Sequence, residues 1–100
     1  MHKQIEEDIA NHPVILFMKG TKDNPMCGFS SRVVDILNDL GIEFETRDVL
    51  EDDELRSAIK EFSDWPTLPQ LYINGEFIGG CDIVTELHRT GELQELLSLV

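Results

Sequence analysis

The chain has 100 residues, 41% of them apolar and 28% charged, with 20 acidic against 8 basic side chains and a net charge of −12. That length supports one core and is too short for two, and the composition is that of a folded chain. The acidity sets its surface against nucleic-acid phosphates, and no run approaches the roughly 20 apolar residues of a membrane span.

In chain order, Ile5 and Ile9 predict a short helix. It ends before Pro13, because a residue that precedes proline is kept out of the helical region. Val14 to Met18 is a continuous apolar run, which predicts a strand covered on both faces. A polar loop over 20–26 leads into Cys27-Gly28-Phe29-Ser30. Val33, Val34, Ile36, Leu37 and Leu40 then repeat at helical spacing, with Gly41 as the stop. Ile42 to Arg47 alternates and predicts a half-exposed edge strand. Asp52 or Asp53 caps a helix that carries Leu55, Ile59 and Phe62 on one stripe. Leu71-Tyr72-Ile73, Asn74-Gly75 and Glu76-Phe77-Ile78 predict a hairpin, since Asn-Gly suits a type I′ turn. Gly79-Gly80 breaks the strand, and a last helical region runs from Asp82 with an interruption around Thr90-Gly91. The first two strands flank a helix and should pair in parallel, whereas the last two form an antiparallel hairpin. The predicted class is α/β: a mixed four-stranded sheet flanked by helices on both faces.

The chemistry centres on Cys27. A thiol that opens a helix sees the positive end of the helix dipole and unpaired N–H groups, which favour thiolate. A second cysteine three residues on would resolve a mixed disulfide within the chain, but that position holds Ser30. The reaction therefore needs an outside sulfur, and Ser30 at most helps to satisfy the first helical turn. Two cysteines make no disulfide framework, and His2, His12 and His88 show no metal spacing with either. An acidic chain that binds an anion must gather its few cations. Lys19, Lys22, Arg56 and Lys60 fall near these elements, the last two four apart on one helix face.

Met18-Lys19-Gly20, Cys27-Gly28-Phe29-Ser30, Trp65-Pro66-Thr67-Leu68-Pro69-Gln70-Leu71, Asn74-Gly75 and Gly79-Gly80-Cys81-Asp82 occur in this order and at these separations. Together they resemble the monothiol glutaredoxins, of the thioredoxin-like fold, as a single glutaredoxin domain over 1–100. The resemblance implies that glutathione is the outside sulfur. It further implies a [2Fe–2S] cluster at a homodimer interface, ligated by Cys27 and one glutathione from each side. Four thiolates per cluster agree with one reactive cysteine per chain. The implied role is cluster transfer to apo iron–sulfur proteins in cluster assembly and iron homeostasis. Relatives also share a cluster with BolA-like partners. The alternative is a glutathione-dependent oxidoreductase that reduces protein–glutathione mixed disulfides. The approach loop Thr21-Lys22-Asp23-Asn24-Pro25 favours the carrier.

The resemblance also assigns residues. Cys27 is cluster ligand and nucleophile, and Gly28 lets cluster or sulfur approach the backbone. Phe29 either covers the sulfur and contacts glutathione or packs in the core. Lys19 pairs with a glutathione carboxylate and steadies the thiolate. Arg56 grips the glycyl carboxylate, with Lys60 a weaker candidate on the same face. Thr67-Leu68-Pro69 is a cis-proline loop that offers the Leu68 backbone to the cysteinyl part of glutathione, and Trp65 shapes it. Backbone N–H groups of Gly79-Gly80-Cys81-Asp82 take the γ-glutamyl carboxylate, and Asp82 either accepts from the γ-glutamyl ammonium or simply caps the helix. Cys81 reads two ways, as a small buried residue or as a thiol that forms a disulfide with Cys27 under oxidation. The N-terminus lacks a signal-peptide pattern, so the expected place is bacterial cytoplasm, or an organelle matrix after presequence removal.

Overall fold

A computed structural model describes residues 1–100. The elements are α1 (His2–Asn11), β1 (Val14–Met18), α2 (Gly28–Asp39), β2 (Glu45–Asp48), α3 (Asp53–Ser63), β3 (Gln70–Ile73), β4 (Glu76–Gly79), α4 (Cys81–Thr90) and α5 (Glu92–Leu97). The four strands form one sheet in the order β2-β1-β3-β4. β1 pairs in parallel with β2 and antiparallel with β3, which pairs antiparallel with β4. In this register Met18 faces Asp48 and Phe17 faces Gln70. The end of β1, the end of β2 and the start of β3 therefore share one edge of the sheet, and the site is built there.

All five residues of β1 are buried, and they divide by parity. Val14, Leu16 and Met18 join a core with α2, α4 and α5; Ile15 and Phe17 join a second core with α1 and α3. The uninterrupted apolar run thus arises because both faces of the sheet are covered. Full burial of side chains the size of Leu16 and Phe17 stabilises the fold by about 1.5–3 kcal/mol each. On the exposed edge, Arg47 of β2 donates two 3.1 Å hydrogen bonds to Asp8 of α1. This ion pair ties α1 to the edge strand and leaves that edge charged, which disfavours pairing with another chain.

Two boundaries differ from expectation. The alternation over Ile42 to Arg47 predicted a strand, but β2 begins only at Glu45, and its four residues are all half-buried. The reason lies in the end of α2. Gly41 N–H donates to Asn38 C=O at 3.0 Å and Ile42 N–H to Leu37 C=O at 3.1 Å. That is the Schellman pattern, so Ile42 is used in closing the helix, and Phe44 turns into the core at 8% exposure. The last helical region begins at Cys81 rather than Asp82, with Gly80 as N-cap, so Asp82 is not the cap residue. It then divides at Gly91 into α4 and α5. Asp52, one of two expected caps, accepts from Leu55 N–H at 3.1 Å. The hairpin turn has Asn74 at φ 50° and Gly75 at φ 80°, as a type I′ turn requires.

Candidate functional site

Cys27 is the N-cap of α2, with extended backbone at φ −151° and ψ 136°. It is half-buried and unbridged. Its sulfur makes no cap hydrogen bond of the kind an aspartate oxygen makes. The Ser30 N–H contributes most to lowering its pKa below the ordinary 9.0. Partial burial opposes this, while the Phe29 N–H, the Lys19 charge and the Ser30 hydroxyl add to it. The helix start therefore favours thiolate at Cys27.

Ser30 does more than the sequence suggested. It is fully buried, and its hydroxyl oxygen accepts from Lys19 N–H at 3.2 Å, joining the start of α2 to the end of β1. The turn after Lys19 is tight. Gly20 sits at φ 92°, and a Cβ there would lie 2.6 Å from both Asn24 O and Met26 N. Only glycine fits that place. Met26 N–H in turn donates to Lys19 C=O at 2.9 Å, which brings the loop back to the thiol.

The opposite wall is the segment from Trp65 to Pro69, and the Leu68–Pro69 peptide bond is cis. Gln70, fully buried, fastens this segment. Its amide donates to Trp65 C=O and Thr67 C=O, both at 3.2 Å, and its oxygen accepts from Tyr72 OH at 3.2 Å. Burial pushes the Tyr72 phenol up to about 12, so it remains a donor. Neither the N–H nor the C=O of Leu68 takes part in any hydrogen bond of the chain. Trp65 packs on Phe77 with ring centroids 5.7 Å apart. Its indole N–H is the one buried side-chain polar atom without a partner.

Between these walls lies a cavity of about 470 Å³. Of the predicted site residues, Lys19, Cys27, Phe29, Lys60, Leu68, Cys81 and Asp82 line it together. Trp65, Pro66, Thr67, Pro69, Gly80 and Ile83 complete the lining. Phe29 is 63% exposed, so the core-packing alternative does not hold. Cys81 is buried and free. Gly28 lies outside the lining, and a Cβ there would meet nothing within 4 Å.

Two cations depart from expectation. Arg56, half-buried on α3, is outside the lining, whereas Lys60 one turn on is within it. Lys22 is elsewhere: its ammonium donates to Phe44 C=O at 2.7 Å and lies 4.9 Å from the centre of the Phe44 ring. The ion pairs of the chain join His2 to Glu61, Arg47 to Asp8 and Glu45, and Arg89 to Glu86. Lys19, Arg56 and Lys60 thus remain unpaired in a chain with 20 carboxylate side chains. Sequence reasoning missed Ile83, which reads as core until its 38% exposure is seen.

The sequence pattern of the glutaredoxin family matches residues 14–78. The chain is 61% identical to a probable monothiol glutaredoxin 2 of Rickettsia conorii, over 95% of this chain and 89% of that protein. It is 54% identical to the mitochondrial monothiol glutaredoxin-5 of Saccharomyces cerevisiae, over 97% of this chain and 67% of that protein. The solution structure of a reduced apo glutaredoxin of poplar is similar, with TM-score 0.85 and 53% identity over 96% of this chain and 88% of that one. A crystal structure of a buckwheat glutaredoxin–glutathione complex matches with TM-score 0.87 and 29% identity, over 97% of this chain and 86% of that one. The sheet order, the thiol at the start of α2 and the 65–70 loop thus occur in a thioredoxin-like fold shared with these proteins. The chain belongs to the monothiol glutaredoxin family.

Proposed function

We propose that the chain, as one glutaredoxin domain over 1–100, binds glutathione in the cavity beside Cys27 and carries a [2Fe–2S] cluster as cargo between two protomers. The observation that carries this reading is the set of unsatisfied groups around one accessible thiol. Lys19 and Lys60 line the cavity without ion pairs, and the Leu68 backbone is unbonded. Glutathione offers a thiol, a peptide edge, two carboxylates and one ammonium. Its cysteinyl part would pair with Leu68 in the manner of an added strand. Lys19 and Lys60 would take a carboxylate, with Arg56 a further cation one turn earlier on α3. The Gly80 and Cys81 amides at the start of α4 would take the γ-glutamyl carboxylate, and exposed Asp82 its ammonium. The buckwheat complex supports the ligand, since that related protein was solved with glutathione.

The donor set fits a shared cluster. A [2Fe–2S] cluster takes four thiolates, and no three His, Cys, Asp or Glu side chains of this chain converge where a metal could be held. One Cys27 from each of two chains and two glutathione sulfurs supply four. Around the thiol, Met26 is 62%, Phe29 63% and Ile83 38% exposed, giving an apolar rim for the second protomer. The open space at Gly28 leaves room for a close approach. Ligands that diffuse away make the cargo easy to hand to apo-proteins. By relation to mitochondrial and chloroplastic proteins, the working place is an organelle matrix or the bacterial cytoplasm.

Anaerobic reconstitution with iron, sulfide and glutathione tests the proposal. A coloured dimer is expected, and Cys27→Ser should abolish it. A colourless monomer under those conditions overturns the carrier.

The lowered Cys27 pKa also favours a second reading, a glutathione-dependent oxidoreductase. The Cys27 thiolate would attack the glutathione sulfur of a mixed disulfide and release the protein thiolate. A second glutathione thiolate would then attack the Cys27-bound sulfur, giving glutathione disulfide and restoring Cys27. Rapid turnover of a small glutathionylated substrate would favour this activity over the carrier.

A further inference from the structure

Lys19 follows β1 directly, with its peptide groups held on three sides. Its N–H donates to the Ser30 hydroxyl at 3.2 Å, and its carbonyl accepts from Met26 N–H at 2.9 Å. The next amide, Gly20 N–H, donates to Asp48 Oδ1 at 2.9 Å. The same oxygen accepts from Leu50 N–H at 2.9 Å. The ammonium of Lys19, by contrast, has no partner in the chain. The backbone from which this side chain springs is therefore fixed, while its charged tip is left for a ligand or the thiol.

Asp48 is an unexpected residue at that place. It ends β2 opposite Met18 and forms no ion pair. A carboxylate's negative charge gives no help to a thiolate or to a bound anion. Its contribution is therefore its two hydrogen bonds, which a charged oxygen makes stronger than a neutral one would. Those bonds join the end of β2 to the turn at Gly20, where close contacts with Asn24 and Met26 leave no slack.

We propose that Asp48 is a positioning residue for Lys19: by holding Gly20 N–H it fixes the backbone from which the Lys19 side chain reaches toward Cys27 and a bound anion. The ligand part of this inference rests on the glutathione reading; the placement of Lys19 against Cys27 does not.

The test uses opposite signs. Losing a negative charge would by itself speed alkylation of Cys27 or leave it unchanged, because it cannot disfavour thiolate. Losing the placement of Lys19 would slow it. Cys27 alkylation by iodoacetamide at fixed pH, followed by mass spectrometry, is measured beside binding of S-methylglutathione. Asp48→Ala should slow alkylation about threefold and weaken binding about fivefold. Asp48→Asn, which keeps an oxygen for the two amides, should stay within about twofold of the parent in both. In a Lys19→Gln background, Asp48→Ala should add nothing further. Alkylation that is faster or unchanged in folded Asp48→Ala overturns the inference. So does an effect that adds to that of Lys19→Gln, or an Asp48→Asn variant as impaired as Asp48→Ala. If Asp48→Ala does not fold, Asp48→Ser, too short to reach both amides, takes its place with the same expectations. A parent protein that fails to bind S-methylglutathione would overturn the glutathione reading, and the alkylation arm would still decide the role of Asp48.

Discussion

Two of the hollows on the surface of this protein make a contrast, the Cys27 cavity of about 470 Å³ and a more open one of about 650 Å³ near the starts of β1 and β2. Each contains a lysine from the same stretch of chain, Lys19 in the first and Lys22 in the second. Lys22 is committed: it donates to Phe44 C=O and lies over the Phe44 ring. In the same hollow, Glu45 already pairs with Arg47. In the Cys27 cavity the lysine tips are free, the Leu68 backbone is free, and the thiol is held toward thiolate. Volume therefore does not distinguish a site. Bonding capacity left unspent inside the chain does, because a ligand gains only what the protein has not already used.

The most severe way to break that difference is to release the cavity wall. Gln70 is buried and holds Trp65 C=O, Thr67 C=O and Tyr72 OH at once. Gln70→Leu keeps the approximate size and removes all three bonds. With Thr67 exposed and able to turn to water, the expected loss of stability is about 2 kcal/mol, read by urea denaturation. S-methylglutathione binding should fall in the folded variant as well, because Leu68 loses its fixed position. A variant with unchanged stability and binding would show that the wall is held by other contacts.

The next effect is a direct contrast between the two lysines. Lys19→Gln should weaken S-methylglutathione binding by about tenfold, the loss of one charge-assisted contact at a partly exposed site. Lys22→Gln should leave binding unchanged. Equal effects from the two would show that the ligand senses net charge and not the free ammonium in the cavity. Measurement at two salt concentrations sharpens the contrast, since a general charge effect is screened by salt.

What the chain disclosed in advance follows the same division. The buried run Val14 to Met18, the helix stripe from Val33 to Leu37 and the Asn74-Gly75 turn were legible because periodicity and turn chemistry are local. Cys27 was legible because a helix start acts on the thiol through its own next residues. Arg56 was ranked above Lys60, yet the cavity is lined by Lys60 and not Arg56, since both lie on one helix face and only the packing of α3 decides which reaches the cavity. Lys22 misled because its partner, Phe44, is distant in sequence. Ser30 was read mainly as a missing thiol, and Asp48, one residue past the predicted strand, was not singled out. Each acts through one oxygen on an amide 11 or 28 residues away. Pattern reading does not see bonds of that kind.

The smallest expected effect isolates the thiol itself. The Cys27 pKa is lowered in the folded chain from its ordinary 9.0. Between that lowered value and 9.0 the unfolded chain binds more protons at this position than the native one, so stability rises with pH across the window. The contribution is fully present above the unfolded pKa and is lost as pH falls through the folded one. Urea midpoints taken at intervals from mildly acidic to mildly alkaline pH, for parent and Cys27→Ser, give it as a difference in which the histidines cancel. The parent should gain stability relative to Cys27→Ser as pH rises. Lys19→Gln should reduce that gain without removing it, because the Ser30 and Phe29 amides remain. A difference that does not change with pH would mean that the helix start leaves Cys27 an ordinary thiol, and the contrast between the two hollows would then rest on Lys19, Lys60 and Leu68 alone.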